Sequence, residues 1–151
     1  MIAVNYRTKT TFREMDNKAL SAKYWPIGLD IGYSGVKTFS GNQASCFPSY
    51  AVQNAAETRI NIGSGGEDER SIRYYDDENG EWEVGALAQN MISTSDTSAG
   101  SLAIYGRSRY YSPMFKVIMR VGLAAGLRKN RFGNPEGKQN KVITGLPPKY
   151  I

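Results

Sequence analysis

The chain has no histidine and a single cysteine, Cys46. Without imidazole, and with one thiol, it offers no Ser-His or Cys-His catalytic pair, no zinc site of the His/Cys kind and no disulfide framework. Long apolar runs are missing as well. The longest unbroken stretch of apolar residues and glycine runs from Val121 to Leu127, far short of the roughly 20 residues a helix needs to cross a bilayer. The first 25 residues carry charges throughout and have no apolar centre, so no secretory signal is visible. The expected location is the cytoplasm, with no membrane partner. Acidic residues are scarce at the C-terminal end, where residues 101–151 hold one acid against ten Lys/Arg.

That scarcity belongs to a wider segregation of charge. Residues 57–83 hold nine acids against three bases, and residues 1–25 hold five bases against two acids. The net charge of +5 averages over these blocks. Such an asymmetry fits distinct surfaces facing distinct partners, and it also fits ordinary solvated faces. The totals are those of a globular protein. With 151 residues, 40% of them hydrophobic and 22% charged, the chain is one domain's worth and can bury a core.

Along the chain, residues 1–25 read as a polar leader arm ending at Trp25-Pro26. A hairpin follows, then a third strand within Phe47–Val52, with Pro48 at its start or on an edge because proline cannot donate to a ladder. Residues 57–83 are acidic and glycine-rich, and "SIRYYDDENGEWEVG" predicts a second hairpin turning at Asn79-Gly80. "VGALAQNMI" fits a short helix, and residues 93–112 read as a long loop. Ser112-Pro113 predicts a helix start, with serine as cap and proline in the first turn. The helix over "MFKVIMRVGLAAGLRKN" is expected to be largely buried, with Lys116 and Arg120, four apart, on its one solvated stripe. "KVITGL" predicts a last strand. Three strands, a helix and another strand indicate an α/β domain with a mixed sheet.

The first hairpin, "IGLDIGYSGVKTFSGN" (27–42), carries the chemistry. Ile27, Leu29 and Ile31 alternate as one strand, and Val36 and Phe39 mark the next, which closes on Gly41-Asn42. The tight turn is Gly32-Tyr33-Ser34-Gly35, with Asp30 at the end of the first strand and Lys37 near the start of the second. A turn of small residues leaves backbone N–H groups directed outward, and such concave nests bind anions. Two glycines let a phosphate approach the backbone, and Lys37 adds a positive charge. Asp30 would repel phosphate directly but suits the waters around a Mg²⁺ ion. No Walker string G-x-x-x-x-G-K-[ST] occurs. Read from these residues alone, the segment fits a phosphate cradle and equally an ordinary hairpin with a surface Asp and Lys. The basic segment Arg128–Lys141, with Phe132 among its cations, is compatible with nucleic acid. A solvated loop, or contact with an acidic neighbouring subunit, fits it better.

The string "GLDIGYSGVK" resembles the first phosphate-binding hairpin of the actin-like ATPase superfamily. That hairpin begins with Asp, turns on glycines and places Lys seven residues after the Asp. The tyrosine after "DIG" is similar to the bacterial and archaeal members, above all the ParM-like plasmid-segregation actins. "FPSYAV" (47–52) resembles their third strand, "EVGALA" (83–88) the following turn and short helix, and "VITGLPP" (142–148) a later strand and loop. The likeness covers roughly residues 26–151, the N-terminal half of such a protein. It implies an RNase-H-like fold, a mixed sheet with flanking helices, that binds ATP and Mg²⁺ and forms nucleotide-dependent filaments for plasmid DNA segregation. Carried over, Asp30 would organise Mg²⁺ through its waters. Gly32, Tyr33, Ser34 and Gly35 would offer main-chain donors to the phosphates, and Lys37 would neutralise their charge. Many superfamily members carry a hydroxyl residue where Tyr33 stands, and Ser34 is the expected substitute. The implied partners are further copies of the chain and an adaptor protein bound to DNA, with no direct sequence-specific nucleic-acid contact.

The sequence departs from that pattern in extent. "DIG" is the only Asp-x-Gly string of its kind, so the second phosphate hairpin is not found, nor is the glycine-rich adenosine motif. The leader of some 25 residues is longer than the family usually has. No catalytic residue is therefore expected within these 151 residues, and ATP hydrolysis is expected of a full-length protein rather than of this chain alone. The alternative is a non-enzymatic module of the same fold that binds a partner or caps a filament. A sugar kinase or chaperone ATPase fits "DIGY" and "FPS" less well.

Overall fold

The computed structural model describes residues 11–14, 20–53, 71–76, 78, 80–95 and 107–145. In chain order the elements are β1 (Thr11–Glu14), β2 (Tyr24–Ile31), β3 (Gly35–Ser40), β4 (Gln43–Pro48), β5 (Ala51–Gln53), β6 (Ser71–Asp76), β7 (Gly80–Gly85) and α1 (Ala86–Ser95). A short 3-10 helix (Arg107–Tyr111), α2 (Pro113–Gly126) and β8 (Gln139–Thr144) complete them. β2, β3 and β4 form an antiparallel meander, β1 lies antiparallel beside β4, and β8 runs parallel to β2. The resulting order β1-β4-β3-β2-β8 is the expected mixed sheet, and a second sheet has the order β5-β7-β6.

Local chemistry explains the main turns. Gly41 and Asn42 both adopt left-handed φ, 55° and 59°, as a two-residue hairpin loop between twisted strands requires. Gly80, at φ 72°, is also left-handed, at the start of β7 and in register with Asp76 where β6 returns. α2 starts where the sequence predicts, with Ser112 Oγ accepting from Phe115 N–H at 3.2 Å and proline in the first turn.

The core lies between the first sheet and α2. β2 buries Trp25, Ile27 and Leu29, and β3 buries Val36 and Thr38, while Asp30 and Lys37 alternate outward. α2 presents Val117, Ile118 and Val121 to them and carries Gly122 and Gly126 on the contact face. A β-carbon at Gly122 would lie 2.8 Å from Leu29 Cδ1, and one at Gly126 2.6 Å from Ile27 Cγ2. Two glycines four residues apart thus bring the helix backbone onto the sheet. That approach lets Thr38 Oγ1 donate to Gly122 O (3.1 Å) and Trp25 Nε1 to Gly126 O (2.8 Å). Trp82 and Val84 of β7 join the same core from the second sheet.

Three expectations need correction or extension. The third strand expected over 47–52 is two strands, because the chain leaves the first sheet at Pro48 and enters the second at Ala51. Parts of the supposed leader arm are structural: Thr11–Glu14 pairs with β4, and Trp25 is only 1% exposed within β2. Arg120 does stand on the solvated stripe, its side chain 41% exposed, but it also reaches β6, where its Nη1 donates to Asp76 Oδ2 at 2.5 Å and to Tyr74 Oη at 2.9 Å. Residues 1–10 and 15–19 of the leader lie outside the described residues. So do 57–70 of the acidic segment, 96–106 of the expected loop and Leu146–Pro148.

Candidate functional site

All six residues singled out for phosphate and Mg²⁺ fall in the β2–β3 hairpin. Asp30 and Lys37 face each other in register across the two strands, with Lys37 Nζ 3.5 Å from Asp30 Oδ2. Their side chains are 63% and 69% exposed, so both remain open to a solvent-borne partner. Gly32, Tyr33 and Ser34 form the turn, and Gly35 opens β3. Gly32 N–H donates to Gly35 O at 3.0 Å, so the main-chain donor expected of Gly32 is engaged within the turn itself. Gly32 and Gly35 are not among the left-handed glycines of the described residues, which are Gly41, Gly80, Gly85 and Gly137. Closeness explains the glycine at 32: an added β-carbon would lie 3.2 Å from Gly35 O.

The sequence reading missed a side chain beneath this turn. Arg109, in the 3-10 helix, is 2% exposed. Its Nη2 donates to Gly32 O (3.4 Å) and Ser49 O (3.2 Å) and bonds to Ser49 Oγ, while its Nη1 donates to Tyr33 O (3.3 Å). Its guanidinium also stacks 5.5 Å from the centre of the Tyr33 ring. Ser49 N–H donates to Ser34 O at 3.3 Å. Three successive turn carbonyls, those of Gly32, Tyr33 and Ser34, are therefore held on the protein side. No described peptide bond is cis, and a trans peptide directs its C=O and N–H to opposite sides. The N–H groups of Tyr33, Ser34 and Gly35 are accordingly turned away from Arg109 and Ser49. Outward-turned amides of this kind are chemically suited to an anion.

A sequence model of the N-terminal domain of actin-like proteins matches residues 28–151. The chain belongs to that family. Its fold agrees with solved ParM structures. A pCBH ParM, a non-polymerisable quadruple mutant, superposes with a TM-score of 0.56 at 20% identity, covering 85% of this chain and 35% of that one. A ParM from a 15-stranded filament of Clostridium botulinum gives 0.53 at 20% identity, over 85% and 36%. The apo psk41 ParM crystal structure gives 0.58 at 17% identity, over 85% and 38%. The chain thus spans little more than a third of the length of these ParM proteins, consistent with a part of their N-terminal half. No curated protein sequence matches it.

In this actin-like domain the hairpin suits a nucleotide's phosphates on structural grounds. The turned amides supply neutral donors, Lys37 an ammonium, and Asp30 a single carboxylate at the rim. Among the described residues no three His, Cys, Asp or Glu side chains converge as a metal site. A lone carboxylate matches Mg²⁺, which keeps several waters and binds through one or two carboxylates together with phosphate oxygens. Nearby, Cys46 stands in register with Lys37 on β4. Burial pushes its thiol above the ordinary value, with Lys37 pulling it back.

Proposed function

We propose that this chain is the phosphate-binding half of an actin-like protein that binds ATP and Mg²⁺ and assembles into filaments that segregate plasmid DNA. The observation that carries this reading is the β2–β3 turn, whose carbonyls at Gly32, Tyr33 and Ser34 are anchored inward so that the amides of residues 33–35 turn outward, at the end of the hairpin that carries the exposed Asp30–Lys37 pair. Asp30 would hold Mg²⁺ through water, the amides of Tyr33, Ser34 and Gly35 would donate to phosphate oxygens, and Lys37 would offset their charge. Bound Mg²⁺ would screen the negative charge of the phosphates. The likeness to ParM, one of whose structures is a filament, supports self-association; a cytoplasmic setting and an adaptor that carries the DNA complete the reading.

The test is titration of the full-length protein with Mg-ATP by calorimetry, together with sedimentation of polymer. Asp30→Ala and Lys37→Ala should each weaken ATP binding by about one to two decades, since a lost hydrogen bond to a charged group costs about 1.5–3 kcal/mol. Neither should unfold the protein, because the exposed ion pair between them contributes at most about 1 kcal/mol. Unchanged affinity in both variants would sink the proposal. A second reading, a partner-binding module of the same fold, draws on the same ion pair, in which Asp30 and Lys37 satisfy each other without a ligand. It predicts no ATP binding by the wild-type protein.

A further inference from the structure

We infer that Arg109 is the positioning residue of the phosphate-binding turn: its buried guanidinium fixes which way the turn's peptides face, and so makes the amide nest before any ligand arrives. This rests on the nucleotide reading of the hairpin. A free turn of Gly, Tyr, Ser and Gly has wide conformational choice, because its two glycines carry no β-carbon. Something must hold its peptides in the orientation that exposes N–H rather than C=O. Within the described residues, Arg109 and Ser49 do so.

The geometry is specific to arginine. One planar fork reaches Gly32 O and Tyr33 O, on consecutive peptides, and also Ser49 O and Oγ. A lysine ammonium is a point donor on a flexible stem and cannot reproduce that fan. Ser49 is itself held to the turn through Ser34 O, so the fork and the serine brace three peptides in a row. The backbone of Arg109 is also anchored. Its carbonyl accepts from Ser112 N–H (3.0 Å) and from Ser112 Oγ (2.6 Å), the cap of α2. α2 in turn is seated on β2 and β3 through Gly122 and Gly126. The guanidinium therefore hangs from a fixed point. Ordering set by the fold lowers the entropy lost when phosphate binds.

The experiment compares wild type, Arg109→Lys, Arg109→Met and Ser49→Ala in the full-length protein. Binding of Mg-ATP and of adenosine is measured by calorimetry, and thermal unfolding is followed in parallel. Arg109→Met and Arg109→Lys should each weaken Mg-ATP by about tenfold or more, and Ser49→Ala by less. Adenosine, which has no phosphate to meet the turn, should bind all four proteins alike. Hydrogen exchange without ligand should quicken at the amides of residues 33–35 in Arg109→Lys while the α2 amides stay protected. Equal weakening of adenosine and Mg-ATP would overturn the inference, since Arg109 would then hold only the fold. Full retention of Mg-ATP affinity by Arg109→Lys would overturn it too, by showing that charge suffices. If Arg109→Met fails to fold, the lysine and Ser49→Ala variants decide. Absence of Mg-ATP binding by the wild type would bring down the nucleotide reading and this inference with it, whereas unchanged affinity in the variants would bring down this inference alone.

Discussion

Replacing Gly126 with alanine should destabilise the domain, although alanine is the better helix former. In a solvated helix the exchange would gain about 1 kcal/mol. At the end of α2, however, the added β-carbon would lie 2.6 Å from Ile27 Cγ2 and 3.0 Å from Thr38 Cγ2. Both neighbours are β-branched and buried, at 1% and 4% exposure, so neither methyl can swing aside through a distal torsion. The helix has to lift. Overpacking of this kind costs about 1–3 kcal/mol. Lifting also stretches the 2.8 Å bond from Trp25 Nε1 to Gly126 O, and an indole N–H left unsatisfied in the core adds about 1–3 kcal/mol. The net expectation is a loss of about 2 kcal/mol, which lowers the melting temperature of a domain of this size by roughly 4–8 °C. Thermal unfolding of the purified protein reads it. Gly145→Ala is the control, because nothing lies within 4 Å of its added carbon, and it should stay within about 0.5 kcal/mol of wild type. Ile27→Leu moves the branch off the β-carbon and should recover part of the loss when combined with Gly126→Ala. A Gly126→Ala protein as stable as wild type would refute the close seating of α2.

The pH dependence of stability has a sign set by Tyr74. Burial, and then its bond to Asp76, push the phenol above its ordinary value. A group raised in the folded state stabilises fully below its unfolded value, about 10, and loses that contribution as pH rises through the folded one. The unfolding midpoint should therefore fall above about pH 10, and Tyr74→Phe should flatten the fall; identical alkaline profiles would refute this. Lys37→Ala removes the charge that partly offsets the upward push of burial on the Cys46 thiol, so alkylation of Cys46 at pH 8 should slow, and an unchanged rate would mean that Lys37 does not act on it. If the acidic segment 57–83 and the basic segment 101–151 steer copies together, assembly monitored by light scattering should slow at 1 M salt, where the Debye length is only about 3 Å. Assembly indifferent to salt would leave both segments as solvated faces.

Most of the fold was legible because its elements are marked locally. The alternation through Ile27, Leu29 and Val36 shows a half-buried hairpin, Ser112-Pro113 shows a helix start, and Gly41-Asn42 shows a left-handed loop. What stayed hidden were features that depend on which elements become neighbours. Phe47–Val52 is apolar apart from Ser49, and nothing in it shows that Ser49 and Tyr50 mark a change of sheet. The pairing of Thr11–Glu14 with β4 is likewise invisible in "TFRE", which is polar enough to pass for an arm. Arg120 looks solvated by helical spacing, yet its partner Asp76 lies 44 residues away.

The candidate site divides along the same line. Asp30 and Lys37 are seven residues apart, and hairpin register alone brings them face to face. Their pairing could be read before any coordinates. The direction of the turn's peptides could not. It is imposed by Arg109, whose partners in the turn are 76 and 77 residues distant and whose contact at Ser49 is 60 residues distant. In sequence, Arg109 is one cation among several in a tyrosine-rich stretch, with no spacing to distinguish it. Burial is what separates it from the others: a guanidinium almost wholly withdrawn from water must be matched by acceptors, and here backbone carbonyls of the phosphate turn are among them. A string such as "DIGYSG" thus names the atoms of a nest without fixing their orientation. The orientation belongs to the tertiary structure, and a search for related sites should ask for a buried donor beneath the turn as well as for the glycines within it.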